Sequence, residues 1–276
     1  MKKNTLKEKL LQNKTVLGAF VSTPSPSTVE MLGWLGMDYV VIDCEHSVTD
    51  YETAENMVRA AELAGITAIV RAGLNLQQNI QRYLDAGVQG VLIPLINNSE
   101  DAKNVVNSCK YPPIGKRGLF STSRTGKYGI TPIIDHVKTS NDEMFISVQI
   151  ETLDGIENQD SIINTEGVDS VFLGPGDLSS VLGVHGQVTH EKVKNTMESM
   201  IQKIIDDGNG FPKNLLKSEK LGEPYIRTFD SVNNSKQGLG LGTFIGKTLL
   251  EKNYAIVKFK NLKESGGAEV KIEWKN

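Results

Sequence analysis

The chain is poor in cysteine, with Cys44 and Cys109 alone in 276 residues. That number excludes a disulfide framework and makes free thiols in a reducing, cytoplasmic setting the expectation. No excess of either charge is present, since 30 Lys and Arg against 33 Asp and Glu leave a formal net charge of −3. Such a balance provides no basic footprint for nucleic acid or for a membrane surface. No apolar run reaches the ~20 residues that a membrane-crossing helix takes. Met1 to Thr5 lead into Leu6, Leu10 and Leu11 with charged residues between them, which is an amphipathic helix rather than the apolar core of a signal peptide. Low-complexity tracts, repeats beyond a generic strand–helix unit and the short Cys/His spacing of a zinc site are also missing.

What is present is a succession of short apolar runs separated by segments of helical spacing. Strands are expected at 15–21, 39–42, 67–70, 90–94, 145–150 and 168–173. Helices are expected at 24–35, 53–64, 76–86, 99–108, 155–164 and 190–205. Ser27 or Thr28 and Ser99 are expected as N-caps, with Gly65 and Gly87 closing their helices. A stretch rich in Gly, Ser and Pro, 111–132, is expected to be irregular. Continuous apolar strands alternating with helices point to a parallel sheet buried on both faces. Six such units suggest most of a (β/α)8 barrel. An open doubly wound sheet is the alternative, although Ser22-Thr23-Pro24-Ser25-Pro26 after the first strand is not a glycine-rich phosphate turn.

Acidic and imidazole groups gather just past these strands, in Asp43-Cys44-Glu45-His46, Gln149-Ile150-Glu151 and Gly174-Pro175-Gly176-Asp177-Leu178-Ser179. Residues at the ends of several strands are how a barrel assembles an active rim. Glu151 and Asp177 are two carboxylates suited to a hard divalent cation completed by water and substrate oxygens. Such an ion polarises a chelated 2-oxo acid and stabilises its enolate. Arg71 at the third strand end offers a fixed positive charge. His46 is the candidate general base, with Asp43 or Glu45 orienting it. Each residue also has an ordinary reading. An acid after a strand is commonly a cap, Asp177 suits an N-cap, Arg71 suits an ion pair, and Cys44 suits packing. The chemical reading rests on all of them falling at the same kind of strand end. No strand end carries the lysine that a Schiff-base aldolase needs.

These residues bring a resemblance into view. YVVIDCEH at 39–46, AIVR at 68–71, LDAG at 84–87 with 91–94, YPPIGKRG at 111–118, QIET at 149–152 and GVDSVFLGPGDLS at 167–179 resemble the HpcH/HpaI aldolases. These are metal-dependent pyruvate aldolases related to the citrate lyase β-subunit. The resemblance runs in order from about residue 17 to 205. It implies a (β/α)8 fold and reversible aldol cleavage of a 2-oxo-4-hydroxy acid to pyruvate and an aldehyde. It implies Mg2+, Mn2+ or Co2+ on Glu151 and Asp177, acid–base work by His46 with Asp43, and Arg71 on the oxo group. By the same resemblance Gln149 lines the site, and the backbone at Gly176 and Asp177 binds the substrate carboxylate. A homo-oligomer is implied as well. The loop from Gly115 to Tyr128 is the expected source of aldehyde selection, together with a neighbouring subunit. Cys44 stands where the family often has Gly, and adds bulk beside the base.

From Asp206 onward the character changes, so the chain is expected to divide into 1–205 and 206–276. Asp206-Asp207-Gly208-Asn209-Gly210 and Gly238-Leu239-Gly240-Leu241-Gly242 resemble the two glycine boxes of a sensor histidine kinase ATP-binding domain. That resemblance implies adenine recognition by the acid of the first box and phosphate contact at Gly238, Gly240 and Gly242. A helix at 243–252 and strands at 256–260 and 268–274 are expected after them. No counterpart of a seventh or eighth barrel strand is legible. A nucleotide-binding fragment, or an inactive fusion of two partial domains, is therefore the alternative to a working aldolase.

Overall fold

Each of the six apolar runs forms a strand in the computed structural model, which describes residues 1–12, 14–205, 255–261 and 268–274. The strands are β1 (Gly18–Val21), β2 (Tyr39–Cys44), β3 (Thr67–Ala72), β4 (Gly90–Ile93), β5 (Phe145–Ile150) and β6 (Ser170–Leu173). They pair in parallel in the order β1-β2-β3-β4-β5-β6. Sequential order without a reversal rules out the doubly wound alternative, whose binding crevice lies where the order switches. The sheet curls, because Phe20 on β1 and Phe172 on β6 bring their ring centroids to 5.6 Å. Among the described residues β1 pairs only with β2 and β6 only with β5, so the described strands form part of a barrel without closing it.

Alternation along the strands sorts the two faces. In the paired register Val41 lies beside Ile69, Asp43 beside Arg71, and Gln149 beside Phe172. These residues share the concave face. Val40, Ile42, Val70, Val91, Ile93, Ile146, Val148 and Ile150 point the other way and are fully buried. Burial of such side chains contributes about 1.5–3 kcal/mol each. The helices that cover them are α2 (Pro26–Trp34), α3 (Tyr51–Ala64), α4 (Gln77–Ala86), α5 (Ser99–Cys109) and α6 (Ile133–Glu143), after the N-terminal α1 (Thr5–Leu11). Met57, Val58, Ile80, Leu84 and Val105 supply buried partners from α3, α4 and α5. Gly65 ends α3 at φ 76, as expected of a left-handed C-cap. The caps at the other ends are Ser25 for α2 and Asn98 for α5, each one or more residues ahead of the expected Ser27 or Thr28 and Ser99.

The two poles of the sheet differ in kind. At the strand starts, fully buried Asn4 donates through Nδ2 to the Gln89 and Glu143 carbonyls at 2.9 Å and accepts from Thr67 Oγ1 at 3.2 Å. Part of the irregular stretch before α6 lies at that same pole. Arg117 pairs with Asp85 at 2.8 Å, Arg124 pairs with Glu62 at 2.8 Å, and Thr125 Oγ1 donates to the Leu84 carbonyl at 2.6 Å. These partners sit at the C-terminal ends of α3 and α4, where cations are favoured. The same stretch also touches the opposite end of α4, where Gln77 Nε2 donates to the Lys116 carbonyl at 2.8 Å.

After β5 come α7 (Leu153–Glu157) and α8 (Gln159–Ile163) in place of one helix at 155–164, and after β6 comes α9 (Pro175–Val181). α10 (Glu191–Ile205) follows. Contacts divide the chain into one unit of Met1–Glu8 with Val16–Val193 and another of Lys9–Thr15 with Lys194–Asn276. In the second unit β7 (Ala255–Asn261) pairs antiparallel with β8 (Ala268–Trp274), with Val257 opposite Ile272. Asp206, Gly208, Gly210, Gly238, Gly240, Gly242 and the expected helix at 243–252 lie outside the described residues. No helix among the described residues is long and apolar enough to cross a membrane.

Candidate active site

Asp43, Arg71, Glu151 and Asp177 all lie at or just past the C-terminal ends of strands, the pole where barrels carry chemistry. The register that sets Asp43 beside Arg71 also joins their side chains. Arg71 Nε donates to Asp43 Oδ1 at 3.0 Å and Nη2 to Oδ2 at 2.7 Å, a two-pronged pair. Asp43 further accepts from Ser22 Oγ at 3.2 Å and from the backbone N–H groups of Glu45 and His46 at 3.1 and 3.2 Å. Burial alone would raise the Asp43 carboxyl, but Arg71 and the two N–H donors outweigh it and hold it below its ordinary value. Arg71 also stands over the Phe20 ring at 5.0 Å, which fixes the guanidinium plane.

The imidazole of His46 is 61% exposed, and its polar neighbour is Glu45 Oε2 at 3.5 Å. Asp43 reaches His46 only through the backbone N–H. Of the two acids read as orienting the base, Glu45 is the one beside the ring. Glu45 Oε2 also lies 3.3 Å from Arg71 Nε. Burial raises the Glu45 carboxyl above its ordinary value despite both of those neighbours. Its function in the site was not separable in the sequence from that of Asp43, because both flank the same histidine.

Glu151 is buried at 2% exposure immediately after β5. Its Oε1 accepts from the Leu95 N–H at 3.0 Å, and its Oε2 accepts from the Gln149 side-chain amide. Burial raises its carboxyl above the ordinary value, aided by the charges of Asp177 and Glu45 and only partly offset by those two donors. Gly174 at the end of β6 makes room for this arrangement. A Cβ there would stand 2.5 Å from Glu151 Oε2 and 2.9 Å from Gln149 Nε2. Asp177 is exposed in the first turn of α9, where Gly174 is the N-cap, so it is not the cap that its Gly-Asp-Leu-Ser context suggested. Gly176 precedes it, and a Cβ at Gly176 would meet nothing within 4 Å.

The charge inventory bears on a cation. Asp43, Glu45, Glu151 and Asp177 bring four carboxylates to one rim, against the single guanidinium of Arg71. Gln149 Oε1 is buried there without a hydrogen-bond partner, and Glu45 Oε2 has the Arg71 and His46 ion-pair neighbours but no hydrogen bond. Among the described residues no group of three or more His, Cys, Asp and Glu side chains is placed to hold an ion. Glu151 and Asp177 influence one another's charge at this rim, and two carboxylates are donors that a hard divalent cation accepts when water and substrate oxygens fill its remaining positions.

The model of the HpcH/HpaI aldolase/citrate lyase family matches residues 16–208. A hydroxypyruvate/pyruvate aldolase of Roseobacter denitrificans is 34% identical over 206 residues, covering 74% of this chain and 80% of that protein. A 4-hydroxy-2-oxo-heptane-1,7-dioate aldolase of Escherichia coli is 32% identical over 224 residues, covering 81% of this chain and 84% of that one. Among solved structures, an HpcH/HpaI aldolase from Desulfitobacterium hafniense superposes with a TM-score of 0.68 at 35% identity, over 72% of this chain and 77% of that one. The citrate synthase SbnG gives 0.66 at 30% identity over the same shares. The chain belongs to the HpcH/HpaI aldolase/citrate lyase family. These relatives are carbon–carbon bond enzymes, and they lend no support to the kinase-like reading of the tail.

Proposed function

We propose that this member of the HpcH/HpaI family is a divalent-metal-dependent lyase that cleaves 2-oxo-4-hydroxy acids to pyruvate and an aldehyde. The observation that carries the reading is the joining, at one rim, of a buried Glu151 with a paired Asp43–Arg71 and a neighbouring Glu45–His46. Glu151 and Asp177 would hold Mg2+, Mn2+ or Co2+, which when bound supplies Lewis acidity toward a chelated 2-oxo acid. The protein's own groups account for the remaining work. His46, steadied by Glu45, takes the proton of the 4-hydroxyl as the C3–C4 bond breaks and the aldehyde forms. The electron pair of that bond passes to C3 and is delocalised onto the 2-oxo oxygen, opposite the fixed charge of Arg71. Protonation at C3 then gives pyruvate. Asp43 keeps Arg71 in place rather than moving a proton itself. Gln149 lines the site and steers Glu151, and the free N–H groups of the first turn at Gly176 and Asp177 suit the substrate carboxylate.

The free thiols of Cys44 and Cys109 support a reducing, cytoplasmic setting. Homo-oligomeric assembly belongs to the same reading, supported by exposed Leu119, Phe120, Tyr128, Ile130 and Ile134, and sedimentation at the monomer mass would count against it. The catalytic reading is tested by coupling pyruvate release to a reporter enzyme after chelation and again after return of Mg2+, Mn2+ or Co2+. Activity that depends on the returned ion is expected. Full activity in the chelated sample, or none with any ion, would overturn it.

A further inference from the structure

We propose that Leu95 is a positioning residue for Glu151, held in a left-handed turn so that its backbone N–H fixes the carboxylate. The inference rests on the metal-site reading above. Leu95 follows β4 with φ 56, a conformation that residues other than glycine rarely adopt and that tends to cluster at working sites. Packing does not explain the residue's conformation, since its side chain is 53% exposed. Its N–H does have a destination, Glu151 Oε1 at 3.0 Å.

Neighbouring bonds lock the turn. Asn97 Nδ2 donates to the Leu95 carbonyl at 3.0 Å, and the Asn97 side-chain oxygen accepts from Thr152 Oγ1. The Asn97 N–H donates to Asp101 Oδ2 at 3.0 Å, and its carbonyl accepts from Asn158 Nδ2 at 3.0 Å. The Ile96 N–H donates to the Gln149 carbonyl at 3.1 Å. The turn is thus tied to both flanks of Glu151, at Gln149 and at Thr152. One donor then stands on each carboxylate oxygen, Leu95 on Oε1 and Gln149 on Oε2, and the carboxylate plane is set before any ion arrives. At an ordinary negative φ the Leu95 N–H would turn away and release Oε1.

The full chain tests this in two ways. In metal-free protein, deuterium exchange of the Leu95 amide, followed by NMR, should be at least about tenfold faster in Glu151→Ala than in the parent, because the acceptor is gone. Unchanged exchange overturns the proposal whether or not the protein binds an ion. Calorimetric titration with Mn2+ then measures affinity. Leu95→Val, whose β-branch resists positive φ, should weaken binding about 10–100-fold, as loss of groups that orient ligands does, while Leu95→Gly stays within about twofold of the parent. Val105→Ala, a remote core change, separates orientation from general loosening and should leave affinity unaltered. Parent-like affinity in Leu95→Val overturns the proposal. If Leu95→Val does not fold, Asn97→Ala carries the same expectation. A parent that binds no Mn2+ sinks the metal-site reading alone, and the exchange measurement still decides the role of Leu95.

Discussion

Gly174→Ala adds one methyl group where the site has no space for it. Gly174 has φ −89 and ψ 88, which an alanine adopts freely, so backbone strain does not confuse the result. The new Cβ would lie 2.5 Å from Glu151 Oε2, 2.9 Å from Gln149 Nε2 and 3.1 Å from Glu151 Cβ, against 3.4–4 Å for ordinary contact. One side must retreat by roughly 1 Å, and overpacking of that kind costs about 1–3 kcal/mol. Glu151 cannot yield cheaply, because it is buried and held by Leu95 on one oxygen and Gln149 on the other. In a domain of this size the cost corresponds to a fall of roughly 3–10 °C in Tm. A displacement of about 1 Å at a reacting group is also enough to lower turnover by about 100-fold. Thermal unfolding of metal-free protein and pyruvate release with Mn2+ present measure the two effects. Gly176→Ala is the matched control for stability, since its Cβ meets nothing within 4 Å. Parent-like Tm and turnover in Gly174→Ala would refute the argument that Glu151 is tightly confined.

Asp43→Asn keeps shape and removes charge. Because the folded-state carboxyl of Asp43 lies below its ordinary value, its stabilisation is present above an unfolded pKa of about 3.9 and is lost as pH falls through the lower folded value, so chemical denaturation should show the variant's acid-side pH dependence flattened. Arg71→Lys cannot reproduce the two-pronged grip on Asp43, and its kcat should fall by about 100-fold while Mn2+ binding persists, as read by steady-state kinetics and calorimetry. Burial pushes the Cys44 thiol up to about 11 and Cys109 to about 12, so mass spectrometry after iodoacetamide at pH 8 should find both nearly unlabelled in native protein and labelled in urea.

Much of the fold was legible because strand-forming runs and helix-closing glycines are local signals. All six strands were found, and Gly65 and Gly87 end their helices as expected. α6 was missed for a physical reason. Its buried residues are His136, Ser140 and Asn141 while Ile134 is exposed, so an apolar period points away from the face that packs. α9 was not among the expected helices, although Asp177 was read as a possible N-cap; Pro at the first helical position with an acid in the first turn starts the helix earlier, at Gly174 as cap. In the site, Asp43, Arg71, Gln149 and Glu151 were legible as polar residues closing apolar runs. Gly174 was legible as a glycine of a close-approach cluster, though not as the space beside Glu151, while Ser22 and Leu95 were not legible, since each acts through a neighbour. A backbone N–H aimed by an unusual φ leaves no mark in an ordinary leucine after a proline.

In the proposed site Glu151 and Asp177 together hold one divalent ion at the strand-end rim. Electron paramagnetic resonance of free Mn2+, titrated with the full chain and with Glu151→Ala and Asp177→Ala, tests it most directly. One Mn2+ bound per parent chain is expected, with loss of that binding in both variants. Undiminished binding in either folded variant would contradict it.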